Sequence, residues 1–278
     1  MNHLRTDTVN LHLGLKKPVR ILQLTDVHIS LADERDVEKP LLPTVKDPLE
    51  FAAKRREIFF KEAAQRRQDA YQETTGNQLD PIGYLQEAME YSKEFDCTVI
   101  TGDLIDFNSW ANYDVAREIL AGKDYLFTPG SHEFCPNSFE TKAKHMDAVQ
   151  SVFRGNILFE SRIVGGVNVV AMDNGYHMWT EEQMKLMKTE IARGLPILLF
   201  CHAPIRGEYH PQGGGLQLSE DLLKLNIEFN QLLQDEPLIK AVFCGHMHTA
   251  KHYLGSSPKP CYIMPSLFTG VVGEIVID

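Results

Sequence analysis

Acidic and histidine side chains directly follow several short apolar runs of this sequence. These side chains belong to Asp26, His28, Asp103, His202, His246 and His248. Mixed carboxylate and imidazole ligands suit zinc, iron, manganese or nickel better than calcium or magnesium, which prefer shells made of oxygen atoms. The sequence therefore predicts a metal site, provided that the fold brings these residues together.

The spacing of two pairs of these residues favours convergence of their side chains. In an extended chain, residues two apart point to the same side, so Asp26 is expected beside His28, and His246 beside His248. Gly245 allows a sharp exit from the preceding strand. Ligands at the ends of several strands can gather at one edge of a sheet, where open α/β folds usually place their sites.

The elements that must position these residues alternate along the chain. Apolar runs predict strands at 19–24, 98–101, 125–128, 167–172, 197–200, 241–244 and 262–264. Helical spacing and capping residues predict helices at 81–95, 180–192 and 219–233. Short strands that alternate with helices are typical of an α/β domain.

The segment 31–80 separates the first predicted strand from the next helix and strand. Asp47, Pro48 and Glu50 supply a cap, a first-turn proline and an acidic side chain, so a long helix is predicted from this point. We expect one domain over residues 1–278, with this segment as a helical insertion. The simplest role of the helix is packing against the domain, with a charged face in solvent; a lid over the site and a dimer contact are the alternatives.

The charge balance restricts the class of substrate. The 278 residues include 28 Lys and Arg against 38 Asp and Glu, which gives a formal net charge of -10. This balance disfavours extended nucleic acid, whose backbone is bound through basic side chains. A small phosphorylated substrate remains compatible, because bound cations reverse the field around them.

The cysteines and the apolar runs bear on the compartment. The five cysteines are odd in number and show no CxxC spacing, in a chain long enough to fold without disulfides. The apolar runs are too short for a signal-peptide core or a membrane span. We therefore expect a soluble protein of the cytoplasm without a membrane partner, and the oligomeric state stays open.

Five motifs occur in order, each just beyond an apolar run. They are DVH from Asp26, GDLID from Gly102, GSHE from Gly130, CHAPI around His202 and GHMH from Gly245. Each motif is weak alone, but the ordered set over residues 20–250 resembles the calcineurin-like metallophosphoesterase family. The pattern of that family is DxH, GDxxD, GNH followed by an acid, a lone His, and GHxH. The resemblance implies a four-layer α/β/β/α sandwich of two mixed sheets, with the metals at one rim.

The resemblance also implies a set of metal ligands. Those of the first metal would be Asp26, His28 and His248. Asp103 would bridge the two metals, and His202 and His246 would bind the second. Two cations, of manganese, iron or zinc, would lower the pKa of a bridging water, so that a metal-bridging hydroxide attacks a small phosphodiester or phosphomonoester.

Three further positions match the third motif and the end of the second. His132 matches the catalytic histidine, which in the family lies beside the leaving group. Asp106 matches the acid that orients this histidine, although an acid after a strand also caps turns. Glu133 is expected just outside the ligands.

One position departs from the family pattern. Where the family has Asn, this chain has Ser131. Serine is shorter and its hydroxyl is a poorer ligand, so Ser131 coordinates weakly, a water fills the gap, or the second site is loose. We expect activity to survive with weaker binding of the second metal. The alternative is a catalytically weakened, metal-stabilised binding or regulatory protein.

Several other residues lie near the motifs in sequence. Arg206 and His210 are candidate contacts to the phosphate or the leaving group, in a loop whose glycines favour flexible connection. His177 is a candidate for the rim of the site. The cysteines close to the motifs are expected to be small buried packing residues; they are Cys135, Cys201 and Cys244.

Overall fold

The computed structural model describes residues 3–71, 79–134, 139–176, 178–205, 219–253 and 259–278. Its strands are β1 (Arg5–Leu11), β2 (Val19–Leu24), β3 (Cys97–Ile100), β4 (Leu126–Phe127), β5 (Phe159–Val164), β6 (Val167–Met172), β7 (Ile197–Phe200), β8 (Ile239–Cys244), β9 (Lys251–Tyr253), β10 (Cys261–Ile263) and β11 (Val271–Ile277). Its helices are α1 (Glu34–Glu38), α2 (Pro48–Tyr71), α3 (Pro81–Tyr91), α4 (Trp110–Leu120), α5 (Phe139–Gln150), α6 (Glu181–Ile191) and α7 (Glu220–Asp235). All seven predicted strands are present, within two residues at each end.

The strands form two mixed sheets. The first has the order β1-β11-β2-β3-β4, in which only the β11–β2 pair is antiparallel. The second has the order β5-β6-β7-β8-β10-β9, with β6, β7, β8 and β10 parallel and an antiparallel strand at each edge. The parallel strands β2, β3 and β4 therefore end at one edge of the first sheet, and β6, β7, β8 and β10 end at one edge of the second.

The alternation of side chains along each strand builds three apolar layers. In β2, Ile21 points into the layer between the two sheets, and Leu22 points to the opposite face. The middle layer joins side chains such as Val99 of the first sheet to Phe200 and Phe243 of the second. Helices α3 and α4 cover the outer face of the first sheet, and α6 and α7 cover that of the second. The predicted four-layer α/β/β/α sandwich of two mixed sheets is confirmed.

Capping residues set the starts of the helices where the sequence predicts them. Asp80 accepts a hydrogen bond from the backbone N–H of Gly83, and Thr180 forms a capping box with Gln183. Asp47 accepts from the backbone N–H of Glu50 at 2.9 Å, so the long helix of the segment 31–80 begins at Pro48. The same segment also contains the short helix α1.

Strands β1 and β11 do not stand out in the sequence. The β1 segment is RTDTVNL, and only Val9 in it is buried, so it lacks an apolar run. Its hydrogen bonds go to β11 in parallel register, from Arg5 opposite Val271 to Leu11 opposite Ile277. A strand that is stabilised by a partner more than two hundred residues away leaves little local signal.

Candidate metal centre

The acids and histidines of four motifs lie at the ends of four strands, two in each sheet, and the GSHE motif follows β4. The loops after β2 and β3 continue side by side beyond the sheet, since the backbone N–H groups of Val27 and His28 both donate to the carbonyl of Asp103 at 2.9 Å. The loops after β7 and β8 meet in the same way, through the N–H of Gly245 and the carbonyl of His202 at 3.0 Å. The backbone N–H of His246 also donates to the Asp26 carboxylate at 3.0 Å, across the two sheets, so both pairs of loops lie at one rim.

Five of the six predicted metal ligands have left-handed backbone conformations. Their φ angles are 51° for Asp26, 55° for His28, 50° for Asp103, 68° for His246 and 52° for His248. Such angles are uncommon outside glycine and cost on the order of 1 kcal/mol each. The expectation of an extended backbone through Asp26 and His28 is therefore wrong, although the side chains do meet. Strain of this kind is typical of functional sites.

Glycines allow the loops to approach each other at this rim. Gly102 has φ of 80°, and a Cβ atom there would lie 2.2 Å from the backbone nitrogen of Gly130. A Cβ atom on Gly245 would lie 1.9 Å from the hydroxyl of Thr25 and 2.3 Å from a carboxylate oxygen of Asp26. The glycines of the GD, GSH and GHMH motifs are thus required by close contact.

The first cluster contains Asp26, His28, Asp103 and His248, with one potential ligand atom from each within 4.8 Å of the others. The Nε2 atoms of His28 and His248 are 2.9 Å apart. Asp26 Oδ1 lies 3.4 Å from Nε2 of His248 and 3.9 Å from Nε2 of His28. Asp103 Oδ2 lies 3.9 Å from Nε2 of His28. Two imidazoles and two carboxylates therefore surround one point.

The second cluster contains Asp103, His202 and His246. Nε2 of His202 lies 3.1 Å from Asp103 Oδ2 and 3.2 Å from Nδ1 of His246. Asp103 belongs to both clusters, and its other oxygen accepts the backbone N–H of His132 at 2.8 Å. This position is suitable for a carboxylate that bridges two cations.

Hydrogen bonds at the outer edge of three imidazoles determine which nitrogen of each faces the centre. Nδ1 of His28 lies 3.3 Å from Asp106, Nδ1 of His248 lies 3.0 Å from Glu62, and Nδ1 of His202 lies 2.8 Å from the carbonyl of Thr101. These partners only accept, so each Nδ1 carries a hydrogen and each Nε2 carries a lone pair in the neutral ring. The lone pairs of His28 and His248 then face each other, and that of His202 faces a carboxylate. A positive charge, either a proton or a metal ion, is needed between them, so this donor set fits a metal.

The opposite charges in the two clusters raise the pKa values of two histidines and lower that of Asp26. Burial lowers the pKa of His202, but the Asp103 carboxylate outweighs burial and raises it to about 10. Burial also opposes protonation of His248, whose pKa is nevertheless raised to about 9 by Asp26 and Glu62. Asp26 is fully buried, which favours its neutral form, yet His248 lowers its pKa to about 2. The carboxylates therefore stay ionised and supply the negative charge that a cation at this site would need.

His132 and Asp106 lie beside the first cluster, as the resemblance predicts. Nδ1 of His132 is 2.9 Å from Asp106 Oδ1 and 2.8 Å from the backbone carbonyl of Asp106. Burial lowers the pKa of His132, but Asp103 and Asp106 together raise it to about 9. The Asp106 carboxylate is also the partner of His28, so one acid orients two histidines of the site.

Ser131 and Glu133 lie in the turn that carries His132. Ser131 is buried at 7% exposure, at the position of the family's asparagine. The Glu133 carboxylate accepts the backbone N–H groups of Gly130, Asp103, Leu104 and Ile105 at 2.7 to 3.2 Å. Glu133 therefore joins the second and third motifs and lies outside the ligand clusters, as predicted.

Sequence reasoning missed two charged residues at this site, Arg55 and Glu62. Both lie on α2, inside the segment 31–80. Arg55 donates to both oxygens of Asp106 at 2.6 Å, and Glu62 is the partner of His248. Phe59, from the same helix, stacks on His28 with ring centroids 4.2 Å apart. Charged residues on a long helix are common, so their pattern gave no signal for this role.

Four residues singled out in the sequence lie outside the described residues; they are the rim candidate His177, the candidate contacts Arg206 and His210, and the expected packing residue Cys135. Cys201 and Cys244 are described, and both are fully buried in the apolar layer under α6 and α7, as expected of packing residues. Within the described ranges, none of the helices combines the length and hydrophobicity that a bilayer span requires.

Comparison with known proteins identifies the class. A sequence model of the calcineurin-like phosphoesterase family matches residues 19–250, so the chain belongs to this family. It is a metal-dependent phosphoesterase, whose buried acid and histidine clusters fit divalent metal ions.

The chain is similar to one curated protein and to several solved structures. It is 23% identical over 259 residues to the 3',5'-cyclic adenosine monophosphate phosphodiesterase CpdA of Vibrio vulnificus (strain CMCP6). The alignment covers 89% of this chain and 74% of the relative. A dimetal phosphatase from Danio rerio aligns with a TM-score of 0.49 and 12% identity, over 91% of this chain and 89% of that chain. A purple acid phosphatase from yellow lupin (Lupinus luteus) aligns with a TM-score of 0.48 and 12% identity. This alignment covers 94% of this chain and 44% of that chain.

Proposed function

We propose that this chain is a dinuclear hydrolase that cleaves a small phosphodiester or phosphomonoester. The proposed ligands of the first metal are Asp26, His28 and His248. Asp103 would bridge the two metals, and His202 and His246 would bind the second, with Ser131 at its edge. His132 and Asp106 act on the leaving group. The bound metals are proposed to be manganese, iron or zinc.

The observation that carries this proposal is the contact between His28 and His248. Their Nε2 atoms are 2.9 Å apart, while the Nδ1 atom of each ring is held by a carboxylate. Without positive charge between them, two lone pairs would repel each other in a buried site. Asp26 Oδ1 is 3.4 Å from the nearer nitrogen and adds a further ligand for a cation. The arrangement favours a metal that is held by both rings.

Bound metals would supply positive charge that activates a water molecule and neutralises the phosphate oxygens. The remaining chemistry belongs to the side chains. His132, held at Nδ1 by Asp106, has its Nε2 edge turned away from that acid. Burial lowers the pKa of His132, but the Asp106 carboxylate at Nδ1 opposes this and favours the protonated ring. His132 can therefore protonate the departing oxygen, a role typically worth about a hundredfold or more in rate.

The substrate is proposed to be small. The net charge of -10 disfavours long nucleic acid, because such binding depends on a basic surface. The curated relative is named as a cyclic nucleotide phosphodiesterase, which supports including cyclic nucleotides among the diesters to be tested. Diester and monoester cleavage use the same residues in this proposal.

An ester screen tests the proposal. Purified protein with added Mn²⁺ should hydrolyse bis(p-nitrophenyl) phosphate, p-nitrophenyl phosphate or a member of a nucleotide panel that includes 3',5'-cyclic AMP. His132→Ala should lower kcat about a hundredfold or more. His12→Ala is the matched control, because His12 is exposed and pairs with Asp278 at the surface. Absence of metal-dependent turnover on every ester would reject the enzymatic proposal.

Ser131 supports one alternative. Since serine replaces the amide ligand of the family, the second metal site is expected to be weaker, and the chain would then be a metal-stabilised binding or regulatory protein. The same screen separates the two proposals. Binding of Mn²⁺ with no hydrolysis, and with no loss of binding in His132→Ala, would favour the alternative.

A further inference from the structure

Helix α2 touches the metal centre through one face. Arg55 contacts Asp106, Phe59 stacks on His28, and Glu62 contacts His248. The spacing of these residues, four and then three, places them on the same side of a helix. A helix from outside the sheet motifs therefore reaches two proposed metal ligands and the acid beside His132.

Arg55 holds Asp106 through both of its oxygens. Nε donates to Oδ2 and Nη2 donates to Oδ1, each at 2.6 Å, while Asp106 is fully buried. Oδ1 of the same carboxylate also faces Nδ1 of His132 at 2.9 Å and Nδ1 of His28 at 3.3 Å. A planar guanidinium that binds both oxygens fixes the plane of the carboxylate, which a point charge does not. The orientation of His132 therefore depends on Arg55 through Asp106.

Glu62 holds His248 from the outside. Its Oε1 atom lies 3.0 Å from Nδ1 of His248, and both side chains are largely buried, at 26% and 18% exposure. Because a carboxylate only accepts, Nδ1 carries the hydrogen, and Nε2 is turned toward His28 and Asp26. Outer partners of this kind orient ligand histidines and strengthen their metal bonds.

We propose that Arg55 and Glu62 are positioning residues of the metal centre, so that helix α2 is part of the active site. Glu62 fixes His248 as a ligand, and Arg55 fixes the Asp106 carboxylate that orients His132. This inference rests on the proposed two-metal function. It assigns to the segment 31–80 a role in catalysis and metal affinity that packing alone does not provide.

Metal affinity tests Glu62 independently of activity. Glu62→Gln keeps the size of the side chain and an oxygen that can accept from Nδ1 of His248, but it removes the negative charge that strengthens the imidazole as a metal ligand. Titration with Mn²⁺ by calorimetry should show one of two sites weakened about tenfold to a hundredfold, with the other unchanged. The visible spectrum of the Co²⁺-loaded protein should change as well. Glu50→Gln is the matched control, because Glu50 lies on the same helix, exposed and paired with Lys54.

Leaving-group dependence tests Arg55. Arg55→Met should lower kcat about tenfold or more on an unsubstituted phenyl ester, whose leaving oxygen needs a proton. The fall should be much smaller on the p-nitrophenyl ester, whose leaving group is stable as an anion. KM should change little, and any loss of Mn²⁺ affinity should be confined to the site of His28, which Asp106 also contacts. Arg55→Lys should not restore the rate, because lysine keeps the positive charge but lacks the two planar N–H donors that bind both oxygens of Asp106. Lys54→Met serves as the matched control.

The outcomes separate this inference from the proposed function. If wild type binds two metals but cleaves no ester, the proposed function fails, while the Glu62 titration still decides the role of Glu62. If wild type is active and both sites keep their affinity in Glu62→Gln, Glu62 is not a positioning residue. Arg55 does not act through His132 if Arg55→Met lowers kcat equally on the phenyl and the p-nitrophenyl ester. The same conclusion follows if Arg55→Met lowers kcat on neither ester. Circular dichroism and thermal melts of each variant establish that it is folded.

Discussion

The Nε2 atoms of His28 and His248 lie 2.9 Å apart, and each ring is fixed from its other nitrogen by a carboxylate. The two residues come from motifs 220 positions apart, on different sheets. Neither ring can turn away without losing its outer hydrogen bond. The centre is therefore pre-arranged to hold positive charge between the two rings.

Metal binding should stabilise the folded chain through this pair. A ligand at a hundred times its Kd stabilises a protein by about 2.7 kcal/mol per site. Excess Mn²⁺ should therefore raise the melting temperature of wild type more than that of His248→Ala. His12→Ala should behave as wild type. An equal rise in wild type and His248→Ala would show that the metal binds elsewhere.

Ser131→Asn should strengthen the second metal site. The amide oxygen supplies the ligand that serine lacks, so affinity for the weaker Mn²⁺ should increase about tenfold, which corresponds to about 1.4 kcal/mol. Ser131→Ala should change this affinity little if the hydroxyl is a poor ligand. Calorimetric titration measures both variants. A weaker second site in Ser131→Asn would mean that the buried position has no room for the amide.

Glu133→Ala should strongly destabilise the protein. The carboxylate accepts four backbone N–H groups, and an unsatisfied buried donor costs about 1 to 3 kcal/mol. The loss should exceed about 3 kcal/mol even if some of these groups find other partners. Urea denaturation measures it, with Glu182→Ala on the exposed face of α6 as the control. A change as small as that of the control would contradict this role.

The stability of the metal-free protein should fall as pH rises from 6.5 to about 10. His202 faces Asp103, Asp26 and His246, and its pKa is raised from 6.5 to about 10. His248 faces Asp26, Glu62 and His28, and its pKa is raised to about 9. A group with a raised folded-state pKa contributes its full stability below its ordinary pKa, and loses it as pH rises through the raised value.

Bound metal should weaken this pH dependence, because it replaces the protons between the carboxylates and the imidazoles. Urea midpoints at pH 6, 7.5 and 9, with chelator and with excess Mn²⁺, make the comparison. The difference in urea midpoint between the Mn²⁺-loaded and the chelator-treated protein should increase toward alkaline pH. Metal-free protein that gains stability over this interval would contradict the proposed charge arrangement.

The strand positions and the ligand identities could be predicted from local sequence. The apolar runs before Asp26, Asp103, His202 and His246 indicate buried parallel strands, and parallel strands bring their carboxyl ends together. The prediction that an extended backbone places Asp26 beside His28 was nevertheless wrong. Their left-handed backbone is imposed by contacts with the loop of Asp103, which the DVH motif does not contain.

The contribution of α2 could not be predicted from local sequence. Glu62 belongs to the site because α2 lies against the loop of His248, 186 positions later in the chain. The sequence around Glu62 and Arg55 is the ordinary charged pattern of an exposed helix. Strand β1 was missed for a related reason, because its pairing with β11 depends on the opposite end of the chain.

Anomalous X-ray diffraction from crystals grown with Mn²⁺ tests the central claim most directly. Two peaks are predicted about 3.5 to 4 Å apart, one between His28 and His248 and one beside His202 and His246, with the Asp103 carboxylate between them. No peak at Asp103, or a peak that contacts neither His28 nor His248, would contradict the account.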